Sequence, residues 1–148
     1  MQKEVLIFLS SSQKGGDVGE DKIEVITAGQ YYLKNGKHYI TYEEMSDDGR
    51  ETARNIIKIH GETAEVIKNG EVSVHMVFEK GKKNFSYYDM PYGKMLVGLE
   101  TDHMELAEEE DRLSLRLEYR LEVDYRHMAD CVVDIRVESK DKCKMELG

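Results

Sequence analysis

The stretch that decides the fold is "LSLRLEYRLEVDYR", residues 113–126, in which apolar and polar side chains alternate at every position. A strand sends successive side chains to opposite faces, whereas a helix would scatter these leucines around its circumference. The pattern therefore predicts one amphipathic β-strand over the whole stretch. The side chains predicted to face the core are Leu113, Leu115, Leu117, Tyr119, Leu121, Val123 and Tyr125.

The length of this strand indicates how its sheet is shaped. Residues 113–126 would extend about 46 Å at about 3.3 Å per residue, against about 17–20 Å for a usual strand. Because sheets twist, so long a strand favours a closed or nearly closed barrel over a flat sheet. The other face alternates in charge at Arg116, Glu118, Arg120 and Glu122, which is typical of a water-facing exterior.

Two Asn-Gly pairs predict β-hairpins with two-residue loops. The first, Asn35-Gly36, places Leu33 opposite His38 and Tyr31 opposite Ile40. The same register places Gly29 opposite Tyr42, where the ring can cover the bare glycine backbone.

The second pair, Asn69-Gly70, predicts a hairpin that places Lys68 opposite Glu71 and Ile67 opposite Val72. Beyond this turn the alternation places three further apolar side chains on one face of the next strand. They are Val74, Met76 and Phe78.

A further turn is predicted within "SYYDMPYG", residues 86–93. Pro91 lacks an N–H donor and fits the second position of a β-turn that starts at Met90. Tyr88 and Tyr92 flank this corner.

The rest of the chain also reads as short strands separated by turns. Strands are predicted at 4–11, 21–29, 52–60, 83–89, 94–102 and 130–138, and 103–111 reads as a short strand followed by an acidic loop. The fold class predicted is all-β, a single antiparallel meander β-barrel of about 8–10 strands. One domain is expected over residues 1–148, with its core at about 3–139 and a charged tail at 140–148.

Composition excludes several classes of partner. The net charge is −9, from 30 acidic and 21 basic residues, which argues against nucleic acid and anionic membrane as partners. The apolar run Val5–Leu9 is shorter than a signal peptide or a membrane span requires. We therefore predict a cytoplasmic protein with reduced cysteines. Cys131 and Cys143 make no disulfide framework and form no C-x-x-C motif, so a zinc site is not expected either.

The sequence contains none of the usual cofactor or catalytic motifs: no GxGxxG after a strand, GxxxxGK[ST], HExxH or GxSxG. His103 and Glu105 share a strand face, but two ligands do not make a metal site. Glu43 and Glu44 either place one acid on the inner face or are both solvated at the end of a strand. We therefore predict no catalytic residue, no metal and no cofactor.

A resemblance to a known family rests on "YYLKNGKHYITYEE", on "MVFEKGKKNFSYYDMPYG" and on a strand ending near "ETD". The sequence is similar to the YwiB-like proteins of Firmicutes, a family of unknown function, from "KEVLIFLSS" to "VVDIRV". Met90 departs from the threonine more usual there. The resemblance implies a calycin-like (lipocalin-type) antiparallel barrel and implies no activity. Its most specific residues are Met76, Phe78, Gly81, Tyr88, Pro91, Tyr92 and Gly93.

Three functions remain open from the sequence. A barrel of 8–10 strands can enclose a lumen for one ligand, so the first is binding of a small apolar or aromatic ligand. The second is a protein-interaction or homodimerisation module with a filled core, in which strand 113–126 pairs or packs across the interface. The third is an enzyme, although no nucleophile–base pair is visible. The ligand-binding residues predicted for the first are Tyr42, Met76, Phe78, Tyr88, Tyr92 and Leu117.

Overall fold

The described part of the chain is all-β and comes from a computed structural model. The model describes residues 2–15, 19–45, 49–70 and 72–140. Within these ranges ten strands occur: β1 (Gln2–Gly15), β2 (Gly19–Lys34), β3 (Lys37–Met45), β4 (Thr52–His60), β5 (Thr63–Asn69), β6 (Val74–Glu79), β7 (Lys83–Met90), β8 (Gly93–Glu108), β9 (Arg112–Val123) and β10 (Arg126–Ser139).

The strands form one antiparallel sheet that nearly closes on itself. Its order is β6-β5-β4-β3-β2-β1-β10-β9-β8-β7, so the first strand pairs with the last. The two end strands of the sheet also meet, where Ser73 and Asp89 exchange backbone hydrogen bonds of 2.9 and 2.8 Å. The prediction of a meander barrel of 8–10 strands is confirmed.

Strand β9 carries the predicted alternation but ends earlier than expected. Its apolar side chains pack in or against the core as far as Leu121, and the strand itself continues to Val123. Asp124 (φ 49°) and Tyr125 (φ 68°) then form a left-handed two-residue turn into β10, and Tyr125 is exposed. The prediction of a continuous strand 113–126 is wrong here, because a turn without glycine gives no sequence signal.

The polar face of β9 lies outside the barrel, as predicted. Arg116 donates to Asp134 at 2.9 Å, and Arg120 donates to Glu100 and Asp102 at 2.9 and 3.0 Å. Both edges of β9 are already paired, with β8 and β10. Strand β9 therefore has no free edge with which to pair across a dimer, and its packing across an interface stays a prediction.

The first Asn-Gly hairpin has the predicted register. Leu33 faces His38 and Tyr31 faces Ile40. The β2–β3 ladder stops soon afterwards, at Gln30 opposite Thr41. Gly29 is the next residue, and a Cβ there would lie 2.4 Å from the Thr41 carbonyl oxygen.

The second Asn-Gly pair does not form the predicted turn. Lys68 faces Val74 and Ile67 faces His75, because Asn69 still belongs to β5 and pairs with Arg54 of β4. The pairing with β4 therefore overrides the local turn preference. Glu71, the predicted partner of Lys68, lies outside the described residues.

The remaining turns follow the sequence more closely. Met90 faces Gly93 across the two-residue turn at Pro91 and Tyr92, as predicted. The expected strands at 94–102 and 103–111 are one strand, β8, with a bulge between Thr101 and His103. The acidic loop then follows.

The core is one cluster of apolar side chains contributed by most of the strands. The largest fully buried apolar side chains are those of Ile7, Ile40, Ile57, Ile59, Leu99 and Leu117.

Among the described residues, no helix has the length and apolar composition needed to span a membrane. Most of the charged tail, residues 141–148, lies outside the described residues.

Candidate functional site

Four of the six predicted ligand-binding residues come together in the barrel interior. Leu117 is only 1% exposed and Phe78 is buried with it in the core cluster. The Phe78 ring packs edge-on against Tyr119 with 4.8 Å between centroids. The Tyr88 hydroxyl donates to the Met76 sulfur at 3.4 Å. These side chains contact one another, so they form a packed core.

The other two predicted residues differ from each other: one packs against this core at its edge and the other is exposed. Tyr42 packs against its margin beside the split between β2 and β3, where a cavity of about 350 Å³ opens. Burial, with a smaller effect of Glu44, raises the pKa of Tyr42 to about 12. Tyr92 is 85% exposed at the tip of the β7–β8 turn. The prediction that Tyr92 lines the interior is corrected, because a two-residue turn holds its ring outside.

A different cavity, which we name the end cavity, lies at one end of the barrel and has a volume of about 280 Å³. It lies between the start of β1, the β2–β3 hairpin, the β8–β9 turn and the end of β10. Its walls mix apolar side chains with charged ones. The lining residues are Lys3, Val5, Tyr31, Leu33, His38, Glu108, Glu109, Glu110, Asp111, Arg112, Leu113, Val137 and Ser139.

One wall of the end cavity carries a chain of three hydrogen-bonded side chains. His38 is only 8% exposed, yet both of its ring nitrogens have partners. The Tyr31 hydroxyl lies 2.6 Å from Nδ1, and a Glu108 carboxylate oxygen lies 2.7 Å from Nε2. We call Tyr31, His38 and Glu108 the relay. The buried imidazole is thus held in one orientation from two sides.

The protons of the relay follow from the state of Tyr31. Burial, and then the negative charge of Glu108, raise the pKa of Tyr31, so its hydroxyl stays protonated near neutral pH. We assign the hydrogen bonds with Tyr31 as donor to Nδ1 of His38, which places the ring hydrogen on Nε2, the nitrogen that faces Glu108. The Tyr31 oxygen and the Glu108 carboxylate keep spare lone pairs. The relay thus presents acceptors to the end cavity.

Arg112, another lining residue, forms an ion pair with a buried carboxylate. It lies 2.9 Å from a carboxylate oxygen of Glu138, and its own side chain is 35% exposed. This pair neutralises one of the two cations at the end cavity. Besides Glu108 of the relay, the three acids of the β8–β9 turn, Glu109, Glu110 and Asp111, line the cavity. The mouth is therefore acidic.

Three other chemical candidates, Cys131, Glu43 and Glu44, do not line the end cavity. Burial raises the pKa of the Cys131 thiol, which disfavours a thiolate nucleophile. Glu43 and Glu44 are both exposed, and Glu44 pairs with Lys68 at 2.7 Å, so the solvated alternative is confirmed. Within the described ranges, no group of three His, Cys, Asp or Glu side chains is placed to hold a metal ion.

Part of the relay can be predicted from the sequence. The hairpin register puts Leu33 opposite His38 and Tyr31 opposite Ile40, so Tyr31 and His38 share a face as diagonal neighbours. Glu108 lies seventy positions along the chain from His38. Only closure of the barrel brings β8 to this end, and no local pattern in the sequence encodes that contact.

Comparison with known proteins agrees with this architecture. The model of the family described as Domain of unknown function (DUF1934) matches residues 7–135. The "Uncharacterized beta-barrel protein YwiB" of Bacillus subtilis (strain 168) is 26% identical over 119 residues, which cover 79% of this chain and 82% of that protein.

A solved structure extends the likeness to the fold. The crystal structure of ywiB protein from Bacillus subtilis superposes with a TM-score of 0.82 at 22% identity and covers 93% of this chain and 92% of that one. At this identity the superposition shows the fold alone. The family model matches residues 7–135, which is most of the chain, so the chain belongs to the DUF1934 family and is similar to the β-barrel protein YwiB.

Proposed function

We propose that the protein binds a small molecule in the end cavity, and not in the centre of the barrel. The observation that carries this proposal is the relay: a buried histidine held in a fixed orientation beside an apolar-walled cavity. Binding sites typically combine apolar walls with a few well-placed polar groups. The central residues, by contrast, already contact one another.

The volume of the end cavity limits the size of the ligand. At about 280 Å³ it lies just below the range of about 300–1,000 Å³ typical of ligand pockets. One aromatic ring with a short substituent fits such a space. The apolar part of the ligand would contact Val5, Leu33, Leu113 and Val137.

The polar groups of the end cavity indicate the ligand's charge. The relay offers acceptors, so the ligand's polar group is a hydrogen-bond donor. The acids of the β8–β9 turn outnumber Lys3 and Arg112, and Arg112 is paired with Glu138. An acidic mouth raises the local concentration of cations. A small aryl-alkyl amine satisfies both requirements.

A lipocalin-like mode of binding and a cytoplasmic location belong to the same proposal. A lipocalin-like barrel holds one small ligand, and the end cavity here gives such a ligand a place at the open end. The buried free thiol of Cys131 is compatible with a reducing compartment, which supports the cytoplasm as the location.

The proposal is tested with 2-phenylethylamine as the probe, compared with 2-phenylethanol and phenylacetate. We expect the amine to shift the NMR signals of residues around the end cavity and to raise the melting temperature most. Tyr31→Phe should weaken its binding by about tenfold, because one hydrogen bond to a charged group is lost.

Tyr39→Phe is the matched control, since Tyr39 belongs to the same hairpin but stacks on Tyr32 outside the barrel with 4.8 Å between ring centroids. It should leave binding unchanged. Absence of any shift around the end cavity, or tighter binding of phenylacetate than of the amine, would contradict the proposal.

A further inference from the structure

Strand β2 has one edge without a partner strand over half of its length. Its ladder with β1 runs from Gly19 to Tyr32, whereas its ladder with β3 ends at Gln30. Within the described ranges, no strand pairs with the other edge of residues 19–29. The edge begins at Gly29, where β3 passes close to the glycine backbone and separates from β2.

The free edge, which we name the β2 edge (residues 21–28), carries three exposed apolar side chains beside the charged Asp21, Lys22 and Glu24. Ile23 is 59% exposed, Val25 41% and Ile26 68%. Proteins usually protect such edges with proline, bulges or short strands, because unpaired backbone groups recruit other chains. The β1–β2 ladder contains no bulge, and the β2 edge contains no proline. Its regular backbone is therefore able to extend a sheet.

We propose that the β2 edge pairs with the β2 edge of a second copy of this chain, antiparallel about a two-fold axis through Ile23. A two-fold axis normal to the sheet keeps each side chain on its own face, so only registers that pair like faces are allowed. An axis through Ile23 places Lys22 of each copy opposite Glu24 of the other. An axis through Glu24 would oppose two like charges, which is unfavourable.

The backbone has the donors and acceptors that this register needs. Lys34 and Lys37 flank the two-residue turn and form a hydrogen-bonded pair, so alternate residues of β2 point their backbone groups towards the β3 side. Counting back along the regular ladder, Lys22 and Glu24 point theirs towards the free edge. Ile23 then faces its symmetry mate in a non-hydrogen-bonded pair, with Cα atoms about 4.5 Å apart.

That distance permits a disulfide, which gives the first test. Ile23→Cys, made in the full chain with Cys143→Ser, should form a covalent dimer under mild oxidation, since Cα separations of about 4.4–6.8 Å accept the bond. Ile26→Cys in the same background is the matched control. It is more exposed than Ile23 but lies about 20 Å from its own mate in this register, so it should stay monomeric.

Charge exchange gives the second test, by sedimentation velocity over a dilution series. Lys22→Glu and Glu24→Lys should each weaken dimerisation at least tenfold, because each places like charges opposite one another. The double variant should restore it. Equal cross-linking of both cysteine variants, or a wild type that is monomeric throughout the series, would overturn the proposal.

Discussion

At the scale of one residue, Tyr42 carries a hydroxyl whose ionisation the fold opposes. Its pKa is raised to about 12 in the folded chain, mainly by burial, from about 10 in an unfolded one. The folded state therefore holds the proton longer. Stability is unaffected below pH 10 and falls as the pH rises from about 10 to about 12.

Replacement of Tyr42 by phenylalanine should remove this loss. We expect wild type to lose roughly 1–2 kcal/mol more unfolding free energy than Tyr42→Phe between pH 9 and pH 12, allowing for partial exposure of the ring. Urea titrations at the two pH values measure the difference. Tyr87→Phe, which removes an exposed hydroxyl, should behave as wild type; parallel losses in all three proteins would contradict the assignment.

Individual positions were predictable wherever a local pattern fixes the face of a side chain. Phe78 and Leu117 are buried because strand alternation directs them inward. Tyr92 was misplaced because a turn residue follows the turn geometry and not the alternation. The sequence predicts His38 only as the hairpin partner of Leu33, because its hydrogen-bond partner Glu108 comes from a strand that is distant in sequence.

At the scale of the element, the two Asn-Gly pairs show how far turn chemistry extends. Asn35 and Gly36 have the positive φ values, 53° and 76°, that a two-residue turn requires. Asn69 instead remains in β5 opposite Arg54. The same dipeptide forms the turn in one place and not in the other, because a ladder with a third strand contributes more than the turn preference does.

Gly29 controls where β2 and β3 separate, which is a property of both strands. A Cβ at this position would lie 2.4 Å from the Thr41 carbonyl oxygen and 2.6 Å from the Ile7 side chain. Gly29→Ala should therefore lower the unfolding free energy by roughly 1–3 kcal/mol, as overpacking against backbone does. Chemical denaturation measures the loss.

Gly98→Ala is the matched control for this strand glycine. Its added Cβ would meet the ring edge of Phe85 at 3.1 Å and the carboxylate of Glu122 at 3.2 Å, both ends of side chains that can move. The lower backbone entropy of alanine in the unfolded chain offsets part of the remaining cost. If Gly98→Ala destabilised the protein as much as Gly29→Ala, the close approach of β3 would not explain why position 29 requires glycine.

At the scale of the whole molecule, the barrel is expected to behave as a filled core. Leu117→Ala should lower the unfolding free energy by about 2–5 kcal/mol, because its neighbours cannot collapse fully into the space left. Met128→Ala, at an exposed position of β10, should change it by less than about 1 kcal/mol. A similarly small effect of Leu117→Ala would indicate a spacious interior and return attention to a central ligand.

The pairing of β1 with β10 has a consequence for the order in which the molecule is made. Val5 faces Ser139, so this ladder joins opposite ends of the folded sequence. Strands β1–β6 and β7–β10 are local meanders that can form as they leave the ribosome. Pairing between distant segments is slow, and β1 must wait with an open edge until β10 has been synthesised. The nascent chain is therefore most exposed to aggregation in the interval before β10 emerges.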